Sequence, residues 1–139
     1  MSASFEEKSV WIQLISMVAV LGSYFVIAAR MLSNGVTVVI AYVPLFIVAV
    51  IMLVVVLVVG HIVVAIASKP EGRDERDRLI SWRAESNSSW ILSVGVLAAI
   101  TGLVASVGSV WIAHLLMLSM LVSEVAGFVI RLVYYRRGV

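Results

Sequence analysis

The chain has no cysteine, which excludes disulfides, thiolate metal sites and thiol redox chemistry among its own residues. Charge is scarce too. Asp, Glu, Lys and Arg make up 13% of the 139 residues, against about 25% in a typical soluble domain. There are two prolines and two histidines. No metal-ligand cluster, nucleophile–base arrangement or phosphate-binding glycine loop can be traced, so the sequence gives no reason to expect an enzyme or a cofactor. The pI near 9.3 does not point to nucleic acid, because the net charge is only +2 and the basic residues sit where membrane topology would put them.

What is present in excess is oil. Hydrophobic residues make up 63% of the chain and its mean hydropathy is +1.14. Crossing a hydrocarbon layer about 30 Å thick takes a helix of about 20 apolar residues, and four such runs occur, at about 10–32, 44–67, 90–107 and 110–135. Asn34-Gly35 supplies a turn after the first. Residues 36–43 read either as a kinked extension of the second helix, whose start is set by Pro44, or as a β-branched segment at the outer interface. Ser86-Asn87-Ser88-Ser89 offers N-caps for the third span, leaving 68–89 as a charged loop. Gly108-Ser109 is so short a connection that spans three and four form a tight antiparallel hairpin. The start of the chain carries Glu6 and Glu7 against Lys8, a poor match to the basic region of a cleaved signal, so the first span is read as retained.

Nine of the ten Lys and Arg residues fall on one side of this arrangement and only Arg30 on the other. The positive-inside rule then puts the N-terminus, the C-terminus and the charged loop in the cytoplasm. Trp11, Trp82, Trp90, Tyr134 and Tyr135 form an inner aromatic belt, with Tyr24, Tyr42 and Trp111 towards the outer one. The expected fold is all-α, an integral membrane four-helix bundle forming one domain in the inner cell membrane. The bilayer is its first partner.

The loop is balanced, with five acids and five bases between Lys69 and Glu85, so it is not a polybasic lipid magnet. Read as a helix it aligns Arg73 with Asp77 and Asp74 with Arg78, each pair worth about 0.2–0.5 kcal/mol. It is either a solvated connector or a docking surface formed by Arg73, Asp74, Glu75, Arg76, Asp77 and Arg78. Asp74-Glu75-Arg76-Asp77, followed by Leu79-Ile80 and a third span, resembles the cytoplasmic loop of a family of small four-span bacterial and archaeal membrane proteins known as a domain of unknown function. The ending Tyr134-Tyr135-Arg136-Arg137-Gly138, after Glu124 in the fourth span, is similar to that family's C-terminal half. The resemblance covers residues 70–139 best and implies a four-helix membrane protein without an assigned activity.

Ionisable groups inside spans are expensive, about 2.5–3.5 kcal/mol on insertion scales. Glu124 lies about 16 Å along the helix from Tyr135, near mid-bilayer, and His61 about 12 Å inside Lys69. A His61–Glu124 hydrogen bond is therefore expected if helices two and four are neighbours; otherwise a protonated Glu124 would bond Ser93, Thr101 or a backbone carbonyl. His114 and His61 differ in depth by about 10–15 Å, which argues against a haem held between them. Gln13 is expected to bond another helix, and Arg131 to extend towards the inner interface. Small residues at Gly95, Ala99, Gly102 and Ser106, and at Ser119, Ser123 and Gly127, suit close helix packing within the hairpin or across a homodimer. Two functions are compatible with these features. One is a non-enzymatic accessory or regulatory subunit that docks a protein partner through the charged loop. The other is a proton-coupled exporter acting as a homodimer, with Glu124 as coupling carboxylate.

Overall fold

The computed structural model describes residues 5–67 and 74–137. Among them are four long helices, α1 (Phe5–Ser33), α2 (Val43–Ala67), α3 (Glu75–Val104) and α4 (Ser109–Arg137), with a 3₁₀ turn at Val39–Tyr42 leading into α2. Each is long and apolar enough to cross a membrane. The fold is all-α. α3 and α4 make the most extensive contact, followed by α1 with α2 and then α1 with α4. The helices therefore lie in the order α2–α1–α4–α3, with α1 and α4 inside and α2 and α3 on the flanks.

Both hairpins turn by the same device. At the end of α1 the Val36 N–H donates to Met31 O at 3.1 Å, and at the end of α3 the Val107 N–H donates to Gly102 O at 2.9 Å. The residue before each donor has a left-handed backbone, Gly35 at φ 83° and Ser106 at φ 59°. These are Schellman closures, which cap orphan carbonyls by reversing the chain at one left-handed residue. The turn expected at Asn34-Gly35 is thus found. Of residues 36–43, the first three are non-helical, and Val39–Tyr42 form a 3₁₀ turn that runs directly into α2 as a short extension of it, pinned by the Tyr42 hydroxyl donating to Val36 O at 2.6 Å.

The start of α3 differs from expectation. The helix begins at Glu75, so most of the segment expected as a charged loop is about four helical turns. Asp74 is the N-cap. Its side chain accepts from the first-turn backbone, and its own N–H donates to Asp77 Oδ2 at 3.1 Å, a capping box. The serines expected as caps lie mid-helix, where Ser88 and Ser89 donate to the carbonyls of Glu85 and Ser86. The physical reason is tertiary. Ile80, Ala84, Ser88, Gly95 and Ala99 form one buried stripe, and burying its first members against α4 requires the helix to start before them.

The α3–α4 contact is close because the facing residues are small. A Cβ on Gly95 would run into the Ser119 side chain, and one on Gly127 would lie 3.1 Å from Ser88 Oγ. Ser123 Oγ donates across the seam to Ser88 O at 3.0 Å. The small-residue stripes are thus occupied within the chain. One apolar cluster joins Leu21, Tyr24, Ala28, Tyr42, Ala49 and Val110, and a second joins Val10, Phe128 and Leu132. α2 buries only Ala49 and Val64, so its Val- and Ile-rich surface is almost wholly exposed.

Candidate functional site

The two expected intramembrane partners do not meet. α2 packs along α1 and scarcely touches α4, so His61 faces α1. Its Nδ1 lies 2.7 Å from Leu57 O. A carbonyl can only accept, so Nδ1 donates, and Nε2 faces α1. Ser9 Oγ stands 2.9 Å from that Nε2, and Gln13 Nε2 donates to Ser9 Oγ at 3.2 Å. Gln13 thus joins a polar cluster with another helix, as expected, but the His61–Glu124 pair is replaced by a His61–Ser9–Gln13 cluster. Ser93 and Thr101 do not reach Glu124 either; each donates to a carbonyl four residues earlier in α3, Ser89 O and Leu97 O.

His114 repeats the arrangement at the other end of the molecule. Its Nδ1 is 2.7 Å from Val110 O, and its Nε2 is 3.2 Å from the Tyr24 hydroxyl of α1. The Tyr42 ring meets the imidazole edge-on at 4.8 Å between centroids, and Tyr24 stacks on it at 5.9 Å. Both histidines are therefore rivets between α1 and a neighbouring helix.

Glu124 lines a cleft of about 210 Å³ on the α3–α4 flank, with Glu85, Ser88, Ser89, Leu92, Ser123, Gly127, Phe128 and Arg131 around it. Ser88, Ser123 and Gly127 are buried at its floor; Glu85 and Glu124 are exposed at its rim. Arg131 Nε is buried with no hydrogen-bond partner, and the guanidinium lies 5.7 Å from the Phe128 ring centroid. The sequence singled out Glu124 but missed Glu85, whose position beside Arg131 and Glu124 depends on the helix continuing through 86–89.

The second candidate surface is the start of α3. Asp74 and Asp77 are engaged in the cap, and Asp77 Oδ1 also accepts from the Tyr135 hydroxyl at 3.0 Å. Asn87 Nδ2 donates to the Tyr134 hydroxyl at 3.1 Å. The C-terminal tyrosines, expected as belt residues, thus clamp α4 to α3. Glu7 and Arg136 pair at 3.5 Å, and Arg136 lies over the Trp11 ring at 5.9 Å, tying in α1. Glu75, Arg76, Arg78, Leu79, Trp82 and Arg83 remain exposed on the outer face, Trp82 by 72%. Arg73 lies outside the described residues.

The geometry defines a class: a four-helix all-α protein whose helices could each span a bilayer, carrying a lateral polar cleft and a charged helical extension. No family model, curated protein or solved structure matches the chain. The family resemblance of residues 70–139 rests on sequence alone.

Proposed function

We propose that the protein is a multi-pass inner-membrane protein with both termini cytoplasmic, and that it is a non-enzymatic accessory or regulatory subunit whose docking surface is the first turns of α3. The helix lengths support the membrane reading. α3 is 30 residues, about 45 Å long against a hydrocarbon core of about 30 Å. Counting about 20 residues from each side of the Val104–Ser109 turn, the boundary falls near residue 84 in α3 and residue 129 in α4. α1, α3 and α4 then project past it as a short three-helix stub. Arg131 and Glu85 sit at headgroup level, and Glu124 about 8 Å inside the boundary.

The observation that carries the docking reading is the exposed face of that stub. Arg76, Leu79, Trp82 and Arg83 follow helical spacing on a segment held rigid by the capping box and by Tyr134 and Tyr135. Aromatic and Arg side chains on a pre-ordered element are the usual anchors of protein interfaces. Purification from native membranes in mild detergent should recover a partner with the wild-type chain and lose it with Trp82→Ala plus Arg83→Glu; recovery of the protein alone would reject the docking reading.

The cleft favours a second reading, the homodimeric proton-coupled exporter, because it gives Glu124 a polar vestibule. Proton-driven flux in liposomes, abolished by Glu124→Gln, is its expected signature. Absence of flux, or flux that survives the substitution, excludes it.

A further inference from the structure

The α3–α4 cleft has an origin that can be read off its walls. Along the seam the facing residues are short, Ser88, Ser89, Ser123 and Gly127, while the residues flanking them are long, Glu85, Leu92, Glu124, Phe128 and Arg131. The long side chains cannot fill the space above the short ones from the sides, and a pocket of about 210 Å³ stays open laterally.

Among the described residues its charges have no ion-pair partner, and neither Glu85 nor Glu124 lies within ion-pair distance of Arg131. Arg131 Nε, buried and without an acceptor, is a group whose desolvation is uncompensated. Phe128, beneath the guanidinium, holds it against the cleft wall. The arrangement calls for an occupant with an anionic acceptor at Arg131 and a cationic group rich in N–H donors at the two carboxylates.

We propose that this cleft binds the zwitterionic headgroup of an aminophospholipid, a phosphate diester bearing a primary ammonium, entering sideways from the cytoplasmic leaflet. The proposal rests on the membrane reading above, which brings the Glu85 and Arg131 end of the cleft to headgroup level. The phosphate accepts charge-assisted bonds from Arg131. The ammonium has three donors and meets the acceptors of Glu85, Glu124 and the Ser89 hydroxyl. A quaternary ammonium has no N–H to offer and is normally held in an aromatic cage; here the single ring, Phe128, already faces Arg131. A headgroup with phosphate and no amine satisfies Arg131 but sets its charge against two carboxylates. A metal ion has too few ligands: among the described residues no group of three His, Cys, Asp or Glu side chains converges.

The test uses the full chain in nanodiscs made from equal parts of dioleoyl phosphatidylethanolamine, phosphatidylcholine and phosphatidylglycerol, followed by native mass spectrometry of the lipids retained on mild extraction. Retained phosphatidylethanolamine should outnumber each of the other two lipids about tenfold, the factor expected of one strong charge-assisted contact. Glu85→Gln with Glu124→Gln should shift retention towards phosphatidylglycerol, a change of preference that mere loosening of the helices would not produce. Arg131→Gln should abolish enrichment. Soluble glycerophosphoethanolamine should leave the bound lipid in place; full displacement by it would overturn the lipid as the source of the headgroup. Retained lipids that mirror the bulk, or phosphatidylglycerol held as well as phosphatidylethanolamine by the wild type, would overturn the proposal with the protein in the disc. Protein that remains outside the discs would sink it together with the membrane reading.

Discussion

Ser106 carries the left-handed backbone that Gly35 carries at the other hairpin, and it does so with a Cβ. For a non-glycine residue that conformation costs about 1–2 kcal/mol, so Ser106→Gly should stabilise the protein by about 1 kcal/mol, after allowing for the extra freedom glycine has when unfolded. Gly35→Ala should destabilise it by a similar amount. Thermal unfolding in detergent reads both as shifts of Tm in opposite directions. Gly95 poses the reverse problem, since its place against Ser119 leaves no room for a methyl group. Gly95→Ala should cost about 1–3 kcal/mol through overpacking, and Ser119→Gly in the same chain should restore most of it. If the double variant is as unstable as the sum of the singles, the two residues are not in contact. Gly95 was readable as part of a small-residue stripe; that Ser119 opposes it was not, because a stripe does not name its partner.

At the scale of elements, α2 and the start of α3 hold their form for different reasons. α2 is a helix of 25 residues rich in Val and Ile, types with modest helix propensity in water. In an apolar medium the backbone must bond to itself, and propensity matters little. The start of α3 is the opposite case, polar and fixed by specific bonds. Asp74→Ala should cost about 0.5–2 kcal/mol and speed amide hydrogen exchange over residues 76–79. Tyr135→Phe and Asp77→Asn should each loosen the same turns, with a coupling of about 0.5–1.5 kcal/mol in a double-mutant cycle. Zero coupling would mean that the hydrogen bond between them contributes nothing. Charge density made this segment look like a loop; the Ile80, Ala84 and Ser88 spacing that runs through it belongs to a helix.

For the whole molecule, the decisive property is how the ends and turns lie about the apolar slab. The chain lacks cysteine, so single cysteines report cleanly. Arg76→Cys should react with an impermeant maleimide only from the cytoplasmic side, and Ile40→Cys only from the opposite side. Labelling of both from one side would refute the topology. The packing order α2–α1–α4–α3 matters equally. It puts His61 against Ser9 and away from Glu124, and it leaves α2 presenting an almost continuous apolar surface.

The sequence by itself determined how many helices there are, their apolar character and the turn at Asn34-Gly35, because run length, hydropathy and a left-handed Gly35 act locally; the second turn reverses at Ser106, inside the expected third span, and not at Gly108-Ser109. It could not determine which helix neighbours which, since in lipid-like surroundings every apolar face is equally comfortable and only shape and a few hydrogen bonds choose. Those choices, Gly95 on Ser119, Ser9 on His61, Tyr24 on His114, were made by the tertiary structure. They alone brought Glu85, Glu124 and Arg131 to one cleft.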